Sequence, residues 1–455
     1  MKLKRLSTTI ALIAGAMVPG LADNPIVQTY YTADPAPMVH DGTVYVYTSH
    51  DEDTTIRNFF TMNDWKCYSS KDMVNWTDHG SVFSYKDFDW SRGDAWAGQC
   101  VYRNGKYYYY VPVNMKNGGN AIGVGVSDSP TGPFKDAIGK PLLIGYGYID
   151  PTVFIDDDGQ AYLYWGNPNL WYVKLNKDML SYDQQTGIVQ VPLNKEGFNI
   201  RLRDVEKRPS AYEEGPWMYK RNKQYYLLYP AGGVPEHLAY STAPTITGPW
   251  TYQDTIMHVI QKGGAFTNHP GLIDFKGKSY LFYHNGALRG GGGFKRSVCI
   301  EEFKFNPDGT IPLIEPTREG VKESVQPLNP FKRVEAETMA WGEGLKTYGN
   351  STNGVYVSEI DPDDYIKIKS VNFNKVATQF TATVSKVQKG SSIEIRIGSP
   401  SGKLIGTCAL NADNQKKFWF EQSCTLQQTK GIQDVYLVFK GTDKKLFDFD
   451  SWILK

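Results

Sequence analysis

Four residues of this 455-residue chain have the types that acid–base chemistry needs, and each stands in the same local setting. Asp34 precedes Pro35, Asp150 precedes Pro151, Glu214 precedes Gly215-Pro216, and His269 precedes Pro270. Asp before Pro is an ordinary turn signal, so one such pair alone carries no chemistry. Glu is not favoured in turns, and Glu213 doubles the charge beside Glu214. The stronger signal is shared register. Each of the four is followed by a turn and an aromatic strand: Thr43–Tyr47, Ala161–Tyr164, Tyr225–Tyr229 and Tyr280–Tyr283. Trp96-Ala97-Gly98-Gln99, before Tyr107–Tyr110, makes a fifth copy without an acid. Two carboxyls on opposite sides of a glycosidic bond suffice to hydrolyse it, one donating a proton and one activating water. A third acid beside the donor raises the donor's pKa by like-charge repulsion. His269 has two readings, a satisfied core histidine or a channel residue that helps hold a water or cation.

Residues so far apart meet only if the scaffold brings equivalent positions together. The copies start near residues 34, 96, 150, 214 and 269, and a strand-and-turn repeat of that length is how a β-propeller looks in sequence. Five copies give five blades. If every blade begins with its innermost strand, Asp34, Asp150, Glu214 and His269 converge at one mouth of the central channel. Helical periodicity is nearly absent, so the chain is expected to be all-β.

The repeat fades after Asn306-Pro307-Asp308-Gly309, and a proline-rich stretch over 313–332 reads as a linker. Short alternating strands from Val334 to the C-terminus fit a β-sandwich (jelly-roll). The expected organisation is a targeting segment at 1–22, a five-bladed propeller at 24–325 and a sandwich module at 332–455. Lys2, Lys4 and Arg5 form a basic start, Ile10–Val18 is apolar but too short to span a bilayer, and Ala22 suits cleavage. The chain is therefore expected to be exported, to a periplasm or beyond the cell.

A net charge of +1 argues against nucleic acid and membrane as partners. The 30 Tyr and 11 Trp exceed what packing alone needs, and rings with polar tips suit sugars. Of five cysteines, Cys408 and Cys424 flank a short segment and are expected to pair in an oxidising compartment. Cys67, Cys100 and Cys299 read as buried free thiols. Neither a CxxC nor an HExxH pattern is present, which argues against zinc.

Ala33-Asp34-Pro35, Tyr148-Ile149-Asp150-Pro151, Glu214-Gly215-Pro216 and Asn268-His269-Pro270 together resemble the motifs of glycoside hydrolase family 43 over residues 24–325. The resemblance implies a five-bladed propeller and an inverting mechanism needing no cofactor for its chemistry. It makes Asp34 the general base, Glu214 the general acid and Asp150 the residue that tunes the acid. His269 matches a histidine that in many members lies near a channel calcium, here expected through water. Tyr31–Pro35, Ala95–Gln99 and Tyr283–Leu288 with Gly290–Gly293 look most similar to arabinofuranosidases that debranch arabinoxylan. That implies plant cell-wall arabinoxylan as the partner, with Trp96 and His269 contacting substrate; Arg289 is a further candidate for contact because it sits beside the Gly-rich run, where a polysaccharide can pass close to the backbone. The same scaffold also serves β-D-xylosidases, and dual specificity stays open.

Val334-Glu335-Ala336-Glu337 and Phe447-Asp448-Phe449-Asp450 resemble the two ends of a family 6 carbohydrate-binding module. The resemblance implies a structural calcium on Glu335, Glu337 and Asp450, and a sugar held between two rings. Trp419 fills one ring position, while Glu359 replaces the other and Asp448 replaces an Asn, which argues against ordinary xylan binding there. Two readings compete with a debranching hydrolase. A retaining fructosidase would carry Asn before the first Asp, where this chain has Ala33. A non-catalytic sugar-binding propeller would lack one of the acids, and none is missing.

Overall fold

A computed structural model describes residues 23–203, 205–206, 208–412 and 418–455. The expected targeting segment, 1–22, lies outside the described residues. The described residues are nearly all strand and turn, with short helical turns at Tyr85–Asp87 and Lys195–Phe198. No described helix is long and apolar enough to cross a membrane.

Five antiparallel sheets form the first unit. Their first strands are Tyr31–His40, Gln99–Arg103, Thr152–Ile155, Trp217–Arg221 and Gly271–Phe275. These five pack each against the next and the last against the first, which closes a ring around a channel. The aromatic second strands lie one step out and fill the space between blades. Tyr47, Tyr109, Tyr164, Tyr229 and Tyr283 are all fully buried there. The fifth sheet has only three strands and is sealed by the chain's start: Thr32 N–H donates to Arg296 O at 2.8 Å and Ile26 N–H to Val298 O at 2.8 Å.

The second unit is a sandwich of two antiparallel sheets. One contains Tyr365–Asn372, Ile432–Lys440, Ser392–Ile397 and Lys403–Ala409. The other contains Gly354–Ser358, Asp448–Leu454, Gln379–Ser385 and Phe420–Thr425. Their inner faces share one apolar core that includes Ile366, Phe380, Ile393, Phe439 and Phe449.

The second sheet does not end at the sandwich. Thr338–Met339 pairs with Trp76–Ser84, the outermost strand of the first blade, and Asn350 bridges to Ser81 on the same strand. A buried ion pair reinforces the joint, with Lys367 and Lys369 both donating to Asp23. Blade and module thus share one hydrogen-bonded sheet.

All five cysteines are free. Cys67, Cys100 and Cys299 are buried thiols. The expected Cys408–Cys424 disulfide is not formed: the two side chains sit side by side on edge strands of opposite sheets, joined by a thiol hydrogen bond.

Candidate active site

The ring of inner strands brings Asp34, Asp150, Glu214 and His269 to one mouth of the channel. Asp34 lies in a bulge of the first strand, where Ala33 faces Ser49 but Ala36 faces Tyr47. The extra residue turns the side chain out of the ladder and toward the axis. Asp34 takes a left-handed φ of 53° and Asp150 one of 56°, each just before its proline. That shared conformation is unusual for a residue with a Cβ, and it marks the two as equivalent aiming devices. Gly215, with φ of 50°, lets the His269 ring lie against the backbone, since a Cβ there would stand 3.1 Å from three ring atoms.

His269 is the hub. Its Nδ1 is 3.5 Å from Oδ1 of Asp34 and its Nε2 is 3.2 Å from Oε1 of Glu214. Burial alone would lower its pKa, but Asp34, Glu214 and Asp150 outweigh that and push it up to about 10. At neutral pH it is an imidazolium between two carboxylates.

Each acid has its own environment. Burial pushes Asp34 up, but Arg296 at 2.9 Å, His269 and a 2.7 Å bond from Ser49 Oγ bring it down to about 2. Its backbone N–H donates to Nδ1 of His284, whose Nε2 donates to Thr267 O, so His284 is held neutral. Asp150 is raised to about 8, first by burial and then by the charge of Glu214. Burial would also raise Glu214, but the bond and charge of His269 and a bond from the Asn167 amide hold it low. Ligand atoms of Asp150, Glu214 and His269 all lie within 4.8 Å of one another. The expected effect of Asp150 is a rise on Glu214. In this geometry the rise falls on Asp150, and the pair keeps one proton near neutrality.

These groups open into a pocket of about 190 Å³, walled by Phe59, Phe60, Met62, Trp96, Ile149, Thr267 and Arg296. It is sized for one sugar unit. Trp96 walls the pocket, and its indole N–H is buried without a partner. Phe59, Phe60 and Phe294 stack edge to face, and Phe266 extends the row outward from Phe294.

Several contributors lie outside the repeat register that sequence reasoning follows. Arg296 joins Asp34 to the buried Asp51. Asn167 fixes one oxygen of Glu214 and accepts from Arg208, which also pairs with Glu213. Glu236, another buried acid, accepts from Asn268 N at 2.9 Å behind His269. No motif announces them. The surest available signal is a charge at a buried-type position, as at Arg296 immediately before the strand Ser297–Phe303.

Other expected site residues sit elsewhere. Arg289 is not in the pocket: its carbonyl accepts from Tyr31 Oη at 2.8 Å, and its side chain lines a separate groove between propeller and module. Trp419 packs edge-on against Tyr356 with centroids 5.3 Å apart, which leaves no slot for a sugar between parallel rings. Glu359 is held by Lys445, and Asp448 by Ser358 and Lys386.

The two expected cation positions differ. Both nitrogens of His269 face carboxylates, and the ligand atoms of Asp150, Glu214 and His269 form a cluster that could hold a cation. In the module, Glu337 has a buried carboxylate oxygen without a partner, and burial with Glu335, Asp78 and Asp450 raises its pKa strongly. That donor set fits a hard cation. Arg333 meanwhile bridges Glu335 and Asp450.

Comparison with known proteins agrees with this geometry. Residues 22–311 match the family described as glycosyl hydrolases family 43, and residues 335–455 match carbohydrate binding module family 6. The chain is 32% identical to an arabinoxylan arabinofuranohydrolase of Bacillus subtilis, over 98% of this chain and 94% of that one. A xylosidase/arabinosidase of Bacteroides ovatus is 33% identical over 63% of this chain and 95% of its own. Among solved structures, the Bacillus subtilis arabinoxylan arabinofuranohydrolase in complex with cellotetraose superposes with a TM-score of 0.80 at 28% identity, covering 95% and 97% of the two chains. The chain belongs to glycosyl hydrolase family 43, and it carries a family 6 carbohydrate-binding module behind its catalytic propeller.

Proposed function

We propose that this hydrolase removes single α-L-arabinofuranosyl branches from arabinoxylan by an inverting mechanism. One observation carries the reading: a one-sugar pocket in which an ionised acid, Asp34, faces a proton-retaining pair, Asp150 and Glu214, across an imidazolium. Asp34 and Glu214 are separated by the width of the His269 ring plus a contact at each end. That spacing suits inversion, which needs roughly 6.5–9.5 Å between carboxyls to admit a water.

Asp34, held ionised, accepts the proton of a water that attacks the anomeric carbon. Arg296 and Ser49 fix its oxygens so that the free lone pair faces the pocket. Glu214 gives a proton to the leaving oxygen. With His269 against it Glu214 is a carboxylate, so the proton held by Asp150 must pass to it as the glycosidic oxygen takes the place of the imidazolium contact. Asp150 is then a proton reserve as well as a source of repulsion. Trp96 and the phenylalanine row give the sugar ring an apolar face.

The Bacillus subtilis relative's name and its match along nearly the whole chain support arabinofuranosyl specificity. A β-xylosidase activity is the second reading, supported by relatives named for both sugars that align with the propeller. Product analysis separates them: arabinose released from arabinoxylan with the backbone intact supports the first, and xylose released from linear xylo-oligosaccharides without arabinose supports the second.

Two further parts belong to this reading. Glu335, Glu337 and Asp450 hold a structural calcium that neutralises the buried carboxylate cluster, with no part in the chemistry. Residues 1–22 direct export, which places the enzyme where polysaccharide is met; amino-terminal sequencing of the mature protein is expected to start at Asp23.

A further inference from the structure

Arg289 lines a groove of about 890 Å³ where the propeller meets the module. Four cations line it, Lys262, Arg289, Arg318 and Lys346, against one acid, Glu343. The chain as a whole is nearly neutral at +1, so this surplus is local. Lys346 is paired, at 2.9 Å from Asp53. The side chains of Lys262, Arg289 and Arg318 are exposed and have no ionic or hydrogen-bonding partner among the described residues. Trp341 lies half-buried in the same wall, oriented by a 3.1 Å bond from its indole N–H to Glu343.

The groove is a built feature. Gly342 N–H donates to Gln28 Oε1 at 2.9 Å across the domain boundary, and Tyr30 Oη donates to Thr347 O. It also adjoins the active site. The loop 285–295 separates them: Asn285–Arg289 face the groove, while Phe294 stacks on the Phe59 and Phe60 that wall the pocket. A polysaccharide with a branch in the pocket therefore has this groove one loop away.

We infer that the interdomain groove binds a carboxylate-bearing sugar, a uronic acid substituent on the same polysaccharide chain, with Arg289, Lys262 and Arg318 taking the carboxylate and Trp341 stacking on the pyranose. Guanidinium groups match a carboxylate bidentately, and an indole face suits an apolar sugar face. Unpaired cations beside an aromatic ring select for an acidic sugar over a neutral one. The inference rests on the hydrolase reading, but binding tests it independently of turnover.

The experiment is affinity electrophoresis of the full-length enzyme in gels containing uronate-bearing arabinoxylan, or the same polymer with its carboxyls reduced to alcohols. The wild type is expected to bind the uronate-bearing polymer about tenfold more tightly, the order of one charge-assisted bond, and to lose that preference in high salt. Arg289→Gln combined with Lys262→Gln and Arg318→Gln is expected to bind both polymers alike, with unchanged turnover of a small aryl arabinofuranoside. These are exposed side chains, so the variant keeps its fold. Equal binding of both polymers by the wild type, or a preference that survives in the triple variant, overturns the inference. Release of no arabinose from either polymer would instead count against the hydrolase reading and leave the binding result standing.

Discussion

Arg296 donates through Nη1 to Oδ1 of Asp34 at 2.9 Å, although the two residues lie 262 positions apart. The same guanidinium binds Asp51 through Nε and Nη2, so one buried cation serves two buried anions. Removing one member of such a network strands the others without solvent. Arg296→Met is expected to cost about 3–5 kcal/mol of stability. The surviving protein should show an acid limb of its pH–rate profile moved upward, because Asp34 loses its main cation. Denaturant titration and a kcat/KM profile check the two halves. An unchanged melting temperature would show that the pair is not carrying the site.

Asp34→Ala and Glu214→Ala are each expected to lower kcat by about 10³-fold or more while leaving circular dichroism unchanged. Both residues face the pocket, and neither fills the apolar core. Near-normal turnover in either purified variant would remove that residue from the chemistry.

The pH dependence follows from the shared proton. Asp150, raised to about 8, keeps a proton on the pair at neutral pH and loses it as the pH rises through 8. The basic limb of the wild-type profile is expected there. In Asp150→Asn the repulsion and the reserve proton both vanish, while His269 still holds Glu214 low. The basic limb should move to lower pH and kcat should fall. A limb that stays near 8 would assign it to another group.

His269 has a folded pKa of about 10 against an ordinary 6.5, so its stabilising contribution is complete below pH 6.5 and is lost as pH rises through 10. Asp34 runs the other way. Its value of about 2 against 3.8 gives stability present above 3.8 and lost as pH falls toward 2. Unfolding midpoints across pH should therefore decline on the alkaline side, and less steeply in His269→Gln. An identical decline in both proteins would contradict the charged imidazolium.

Calcium is expected to raise the melting temperature of the wild type and a chelator to lower it, with little change in turnover of a small substrate. Glu337→Gln should abolish the calcium response. It removes the charge that burial and its acidic neighbours already oppose, so its metal-free stability should equal or exceed that of the wild type. A calcium response that persists in this variant would place the ion elsewhere.

The propeller and its acids were readable because they repeat. Asp34, Asp150, Glu214 and His269 stand at the same point of four of the five blades, and the closed ring of inner strands turns that shared register into proximity. Arg296, Asn167 and Glu236 were not readable, because they come from later strands and loops whose positions no period fixes. Arg289 was misplaced for a local reason. Sequence adjacency to Gly290–Gly293 suggested the pocket, but the loop presents Phe294 to one side and Arg289 to the other. The Cys408 and Cys424 neighbourhood was legible from spacing, whereas their bonding state was not. At Trp419 the sequence showed the missing ring, and the structure adds that Tyr356 occupies the space.

The strand Trp76–Ser84 belongs to the first blade and also carries the module on its far edge. A module on a flexible tether would raise the local concentration of any polymer, with a gain that falls gradually as the tether lengthens. A module welded through a β-ladder behaves as a caliper with fixed jaws. Chains that reach from the pocket to the interdomain groove proposed above collect the whole benefit of two-point attachment, and chains that fall short collect none. The sharing of one strand thus turns substrate length into a threshold.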